Sequence, residues 1–449
     1  ALRSMEYGRF GLNCDGGEML FDQMNDEDRI EMLTIPNPDR IFAIESSLRS
    51  FMTPERAHEL TRIDPFFIDQ ILQIIETREL LCSRTSQTIS KAQLNRVLKD
   101  GFSVEQISYA WGCSLDEVFD VIKQHGIEKT FSVVDTCAGE FKSSTPYFYS
   151  TYSDEDEILL PEKEIVVILG SGPNRIGQGV EFDYCCVHAS YAAREAGYAP
   201  VMINCNPETV STDYDTSDML FFEPLTASDV IAICEKLNPF GVIVSLGGQT
   251  PLKLASILQD KGFNILGTSP ASIDMAEDRE LFHELCEKLD IKQPEGAVAV
   301  TTSEALNIAE EIGYPVLVRP SYVLGGRAMQ IVDEPNQLVE AMDELSSMGT
   351  LGKEGGLSSE RPALIDRFLQ DAIEVDVDAL RDVNGEFLIG SIMEHIEEAG
   401  VHSGDSACIL PPQSLSKKVI DTIISHTQAL AENLEVVGLI NIQFAVQDE

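Results

Sequence analysis

Residues 163–218 most constrain what this chain can fold into. An apolar run, Glu164-Ile-Val-Val-Ile-Leu169, leads into a glycine turn, Gly170-Ser-Gly-Pro-Asn-Arg-Ile-Gly177. After a helical span, a second apolar run, Ala199-Pro-Val-Met-Ile203, passes into a polar string that extends from Asn204 to Asp218. Strand, glycine turn, helix and strand make a βαβ unit. Ligands of such sheets sit beyond the carboxyl ends of the strands, where both polar strings fall. The turn misses two phosphate-binding motifs. Arg175 stands where a dinucleotide fingerprint has its third glycine, and Gln178 where a P-loop has its lysine. On the loop alone, a tight turn that holds no ligand remains open.

A chain of 449 residues has room for two to four domains. It has no run of about 18 apolar residues, so no transmembrane helix is expected, and no signal peptide is visible. With Ala1 at one end and Gln447-Asp-Glu449 at the other, the sequence reads as cut from a longer one. Acidic residues number 75 against 32 basic, a formal charge of -43. That balance disfavours nucleic acid, whose binding requires phosphate neutralisation, and suits a heavily solvated surface. The ten cysteines show no CxxC spacing, which reads as reduced, cytosol-like chemistry without a zinc site.

Residues 1–16 read as the tail of a preceding unit. Residues 18–130 are helical by their punctuation. Thr53-Pro54 and Asp64-Pro65 place a cap residue before a first-turn proline. Ser103 with Gln106 and Ser114 with Glu117 have capping-box spacing. The 103–126 segment has helix-turn-helix spacing, but Lys123 stands alone there against Glu105, Asp116, Glu117 and Asp120. A packing or subunit-contact role therefore fits better than DNA binding. Residues 135–152 read as a polar connector and 153–157 as a charged linker. Residues 163–270 then read as a parallel sheet with helices on both faces, with one strand ending near Gly247-Gly248 and another at 265–269.

Further on, 276–289 reads as one helix. The strand Tyr314-Pro-Val-Leu-Val-Arg-Pro320 and a return at 329–332 make a hairpin. In its loop Gly325-Gly326 lets backbone N–H groups approach phosphate oxygens, and Arg319 and Arg327 supply charge. An ordinary hairpin with surface arginines is the alternative. Residues 346–362 are rich in glycine and serine and read as a mobile loop. On a strand, Glu374, Asp376 and Asp378 share one face. With Glu394, His395, Glu397, Glu398 and the 400–406 string they offer ligands for a cation, or simply a solvated acidic surface.

Taken together, these strings resemble the large subunit of the carbamoyl-phosphate synthetase family, an ATP-grasp family. The resemblance rests on Gly172-Pro-Asn-Arg-Ile-Gly-Gln-Gly179, Glu181-Phe-Asp-Tyr184, the 204–218 string, Gly247-Gly-Gln-Thr-Pro251, Ala276-Glu-Asp-Arg279, Arg319-Pro-Ser-Tyr-Val-Leu-Gly-Gly-Arg327, the 393–406 string and Asn37-Pro-Asp-Arg-Ile41. It implies a multi-domain chain. Residues 1–16 would end a preceding ATP-grasp half, 17–152 would form an all-α oligomerisation domain, and 153–162 a linker. Residues 163–274 would be an α/β, Rossmann-like pre-ATP-grasp domain, and 275–449 an α+β ATP-grasp domain truncated at its C-terminus.

The implied activity is phosphorylation of carbamate by ATP, within glutamine-dependent carbamoyl phosphate synthesis for the arginine and pyrimidine routes. By motif match Arg279 and Arg319 hold ATP phosphates and Gly325 and Gly326 cover them. Arg367, Leu369, Glu374, Gly400, Val401, His402 and Ser403 line the adenosine pocket. Gln443 binds magnesium or manganese. Glu374, His395, Glu397, Val401 and Ser406 hold potassium. Implied partners are a glutaminase small subunit and a second copy through the helical domain, with neither nucleic acid nor membrane, in the cytoplasm or an organelle. Family members carry Gln where Glu398 stands, and the 346–362 loop is longer than usual. The remaining magnesium ligands, a Glu and an Asn, are expected on a strand after residue 449, so the chain by itself is expected to be inactive. Two alternatives are a non-catalytic helical interaction domain on a nucleotide-binding scaffold, and another ATP-grasp carboxylate ligase.

Overall fold

The computed structural model describes every residue except 1, 6–7, 173–178, 321–328, 348–356, 358–361, 398, 400, 402–405 and 448–449. No helix among the described residues is long and apolar enough to cross a membrane.

Among its described residues the first part holds eight α-helices: α1 (Glu18–Asp22), α2 (Asp26–Thr34), α3 (Arg40–Ser50), α4 (Pro54–Thr61), α5 (Pro65–Cys82), α6 (Lys91–Lys99), α7 (Val104–Trp111) and α8 (Leu115–Gln124). Thr53 and Asp64 cap α4 and α5 before prolines. Ser90, Ser103 and Ser114 form full capping boxes on α6, α7 and α8. Each such cap contributes about 1 kcal/mol, which matters for helices this short. The helices close over two apolar clusters. Leu33, Ile44 and Ile68 lie in one, and Leu94, Val97 and Ile107 in the other. The expected tail does not stand apart from them. Leu12 and Cys14 are buried in these clusters, and Gln106 Nε2 donates to the Asn13 carbonyl at 2.6 Å.

Next come β1 (Thr130–Val133), β2 (Tyr147–Thr151), β3 (Ile165–Leu169), α9 (Val180–Glu195), β4 (Ala199–Ile203), β5 (Met219–Phe221), α10 (Ala227–Leu237), β6 (Gly241–Ile243), α11 (Gln249–Leu252) and α12 (Ala255–Asp260). The six strands form one sheet in the order β1-β2-β5-β4-β3-β6. This corrects two expectations. Residues 130–133 and 147–151 are strands rather than helix or connector, with 134–146 linking them, and the sheet is mixed, because β1 pairs antiparallel with β2 while the other pairs are parallel. Phe131 and Phe148 drive the addition. Both are buried against Phe221, with ring centroids 5.4 and 5.3 Å away, and burying each such ring contributes roughly 1.5–3 kcal/mol. The strand expected at 265–269 is reduced to a single bridge between Val242 and Ile265. Gly267 at φ +105 bends the chain away, and Pro270 then opens a helix.

The last part contains α13 (Pro270–Glu277), α14 (Arg279–Lys288), β7 (Gly296–Ala299), α15 (Thr302–Ile312), β8 (Val316–Pro320), β9 (Gln330–Val332), α16 (Pro335–Ser347), β10 (Ala363–Arg367), β11 (Ile373–Arg381), β12 (Phe387–His395), β13 (Cys408–Ile409), α17 (Lys417–Asn433) and β14 (Gly438–Val446). The single helix expected over 276–289 is two. Asp278 is extended and its side chain accepts from the Leu281 N–H, so it ends one helix and caps the next. Two antiparallel four-stranded sheets follow, in the orders β7-β10-β8-β9 and β13-β12-β11-β14. The hairpin of β8 and β9 forms as expected.

Candidate functional site

Alternation along β8 and β10 sorts their side chains. Val316, Val318, Ala363 and Ile365 are buried in an apolar core that includes Leu338 and Met342 of α16. Leu317, Arg319, Leu364 and Asp366 therefore project from the opposite face. There Asp366 pairs with two arginines. Arg279, the first residue of α14, donates to its Oδ1, and Arg319 Nη2 lies 3.4 Å from its Oδ2. The structure thus brings together the two arginines that the motifs single out, through a carboxylate that sequence reasoning missed. Two guanidinium groups against one carboxylate leave local positive charge in a chain of net charge -43. Arg279 Nη1 is buried and has no partner among the described residues. An unpartnered, buried cationic donor fits an anionic oxygen.

Arg367, next along β10, points the other way. Its Nη1 donates to the Ile312 carbonyl at 3.2 Å, and the side chain lies 3.8 Å from Glu295. It does not join Arg279 and Arg319. Leu369 is half-buried just beyond it.

The second sheet carries the acidic row. Val375 and Val377 of β11 pack with Ile423 of α17 and Leu415. Glu374, Asp376 and Asp378 take the other face, as the alternation predicts. The row is partnered rather than bare. His395, whose side chain is fully buried, places Nε2 2.8 Å from Asp376 Oδ2 and Nδ1 3.5 Å from Glu374 Oε2. Asn441 Nδ2 donates to Asp378 Oδ1 at 2.9 Å. Gln443 stands directly across the ladder from Asp376 and is exposed. These are oxygen donors, the ligand type that a hard cation such as magnesium takes.

The potassium set is only partly gathered. Nε2 of His395 is committed to Asp376, and Glu397 Oε2 accepts from the Ala407 N–H at 2.6 Å. Val401 and Ser406 lie at either end of a string whose middle is not described. Among the described residues, no group of three or more His, Cys, Asp or Glu side chains could hold a metal ion. Gly325, Gly326, Arg327, Glu398, Gly400, His402 and Ser403 lie outside the described residues, as does most of the 346–362 loop.

Nearby, Asn204 organises the end of the parallel sheet. It is fully buried. Its Oδ1 accepts from the N–H groups of Gly172 at 3.2 Å and Asn206 at 3.0 Å, and its Nδ2 donates to Ser211 Oγ at 3.0 Å. The glycine turn and the 204–218 string are thereby one unit. The Cys185 thiol on α9 is pushed up by burial first, and then by Glu181 and Asp378.

The sequence signal for Asp366 was present in Ala363-Leu-Ile-Asp-Arg367, where one acid interrupts an apolar strand. Asn441 gave a weaker signal, one polar residue in the alternation of β14.

Three family models match consecutive stretches. Residues 1–126 match the oligomerisation domain of the carbamoyl-phosphate synthetase large chain. Residues 162–275 match the carbamoyl phosphate synthase preATP-grasp domain, and 278–449 the ATP binding domain of the carbamoyl-phosphate synthase L chain. The carbamoyl phosphate synthase large chain of Archaeoglobus fulgidus is 52% identical over 452 residues, covering 100% of this chain and 41% of its own length. That of a Nostoc species is 49% identical, covering 99% of this chain and 42% of its own. The arginine-specific, chloroplastic large chain of Arabidopsis thaliana is 46% identical, covering 99% and 38%. The chain thus spans about two fifths of the length of the curated relatives it matches. With consecutive stretches matching three domain models of one large chain, and relatives about half identical along its whole length, the chain belongs to the carbamoyl-phosphate synthase large-chain family.

Proposed function

We propose that this chain binds ATP with magnesium and supports the phosphorylation of carbamate to carbamoyl phosphate. The observation that carries the reading is Asp366 shared by Arg279 and Arg319, with Arg279 Nη1 buried and unpartnered among the described residues. Phosphoryl transfer asks a protein mainly for positioning and charge neutralisation. In this reading Arg279 and Arg319 take phosphate oxygens, and Gly325 and Gly326 cover them. Arg367, Leu369, Glu374 and the 400–403 string border the adenosine. Gln443, beside the acidic row, holds magnesium, which when bound neutralises charge on the transferring phosphate. Potassium is assigned to Glu374, His395, Glu397, Val401 and Ser406.

Ammonia would come from a glutaminase small subunit, and self-association would use α1–α8. The domain limits 163–274 and 275–449 are part of the proposal, as is a helical unit that begins at 17 and ends before β1, whose strand joins the six-stranded sheet. So is a reducing, cytoplasm-like setting, which suits ten free thiols.

Titration calorimetry with MgATP tests the reading. Arg319→Ala should lose roughly 1.5–3 kcal/mol of binding free energy, the range for a charge-assisted hydrogen bond. Equal affinity in wild type and variant would sink the phosphate role.

A further inference from the structure

A cavity of about 820 Å³ lies outside the site described above, between the helical unit and the six-stranded sheet. Lys99, at the end of α6, and Phe119 and Lys123 of α8 line one side. Tyr149, Glu223 and one face of α10, which includes Asp229 and Ala232, line the other. Its volume is in the range of small-molecule sites.

Topology sets its position. β2 and β5 run parallel, and Tyr152 and Glu223 follow their carboxyl ends within two residues. β1 pairs antiparallel with β2, so Lys129, just before β1, arrives at the same end. Ligands of such sheets sit beyond the carboxyl ends of the parallel strands.

The charges are sorted between the two walls. On the helical wall the charged lining residues are Lys99 and Lys123 alone. Both are exposed, and neither joins an ion pair among the described residues. The subunit-contact reading of the 103–126 segment made no use of Lys123. On the sheet wall Glu128, Glu223, Asp229 and Glu235 outnumber Lys129 and Lys236. Asp229 there takes both interior cations, Lys129 and Arg3, the latter at 2.8 Å.

Glu223 is left with Ser150 as its hydrogen-bond partner among the described residues. It is buried. Burial first, and Asp229 next, push its carboxyl up, against Ser150 and Lys129. Folding thus holds, at a cost, a carboxylate that borders open space. A ligand ammonium at that place offsets the cost with a charge-assisted hydrogen bond. Between the two charged ends the lining is apolar. Phe119 lies one turn from Lys123 on the same face of α8, and both Phe119 and Tyr149 are exposed.

We propose that this cavity binds a small zwitterion with a flat apolar body, its ammonium at Glu223 and its carboxylate at Lys99 and Lys123.

The experiment is titration calorimetry of the whole chain with para-aminomethylbenzoate, whose ammonium and carboxylate stand at opposite ends of a ring. Benzylamine and para-toluate, each lacking one pole, are the comparisons. The zwitterion should bind about tenfold more tightly than either. Glu223→Gln keeps an acceptor for the Ser150 N–H and removes the costly charge, so its melting temperature should not fall. It should weaken the zwitterion about tenfold and leave para-toluate unchanged. Lys99→Met combined with Lys123→Met should weaken the zwitterion and para-toluate and leave benzylamine unchanged. Ala232→Phe, which fills the space beside α10, should abolish binding of all three; should that variant fail to fold, the Glu223 and lysine variants decide. The proposal is overturned if the folded wild type does not bind the zwitterion at millimolar concentration. It is equally overturned if either the Glu223 or the lysine substitutions leave that affinity unchanged.

Discussion

Gly296 lies directly across the β7–β10 ladder from Asp366, and the space a side chain would need there is already taken. A Cβ at Gly296 would fall against the Asp366 carboxylate and 2.7 Å from both Arg279 Nη2 and the Ile365 carbonyl oxygen. The meeting of Arg279 with Asp366 therefore depends on bare backbone one strand away. The Ile365 oxygen belongs to the main chain and cannot swing aside.

From this, Gly296→Ala should destabilise the chain by roughly 1–3 kcal/mol, the usual cost of overpacking. Urea unfolding measures that change, and calorimetry should show MgATP binding weakened in the same variant. Unchanged stability together with unchanged affinity would show that the Arg279–Asp366 contact is not set by this close approach.

Asn204→Ala should loosen the end of the parallel sheet. It removes the acceptor of the Gly172 and Asn206 N–H groups and the donor to Ser211. With the donation from Nδ2 to the Gly172 carbonyl at 3.4 Å, four hydrogen bonds are lost, and at about 1 kcal/mol each the cost is near 4 kcal/mol. Amide hydrogen exchange should speed up at Gly172, Asn206 and the 209–213 backbone, while the helices α1–α8 keep their protection. Equal acceleration throughout the chain, or none at Gly172, would contradict the role assigned to Asn204.

The buried carboxylate of Asp229 ties three segments together and gives a pH test. It meets Arg3 at 2.8 Å, Lys129 and the Thr226 hydroxyl. Burial raises its pKa, but Lys129 first and then Arg3 outweigh that and hold the carboxyl below its ordinary 3.8. A lowered carboxylate contributes stability that is present above the unfolded pKa and lost as pH falls through the folded one. Asp229→Asn leaves Lys129 buried without its counter-ion, so it should cost about 3–5 kcal/mol at pH 7. That deficit should hold steady from about pH 7 to 5 and narrow only below about pH 4. A gap that closes between pH 7 and 5 in urea titrations would show that the carboxyl is not held down.

Local chemistry by itself determined much of this protein. The caps at Thr53, Asp64, Ser103 and Ser114 set helix starts because each satisfies backbone N–H groups within three residues. The alternation of Glu374, Asp376 and Asp378 placed them on one face because strand geometry repeats every two residues. Motif strings pointed to Arg279 and Arg319. What tertiary structure alone decided are the partners. The antiparallel β1–β2 pair exists because Phe131 and Phe148 find Phe221, a residue on a distant strand. Asp366 gained its meaning only when α14 and β8 each brought an arginine to it. The acidic row escapes its own repulsion because His395 and Asn441 arrive from the neighbouring strands. Capping and alternation are properties of contiguous residues and can be read along the chain. Pairing of buried charges and packing of rings depend on contacts between residues far apart in sequence, which no local pattern encodes.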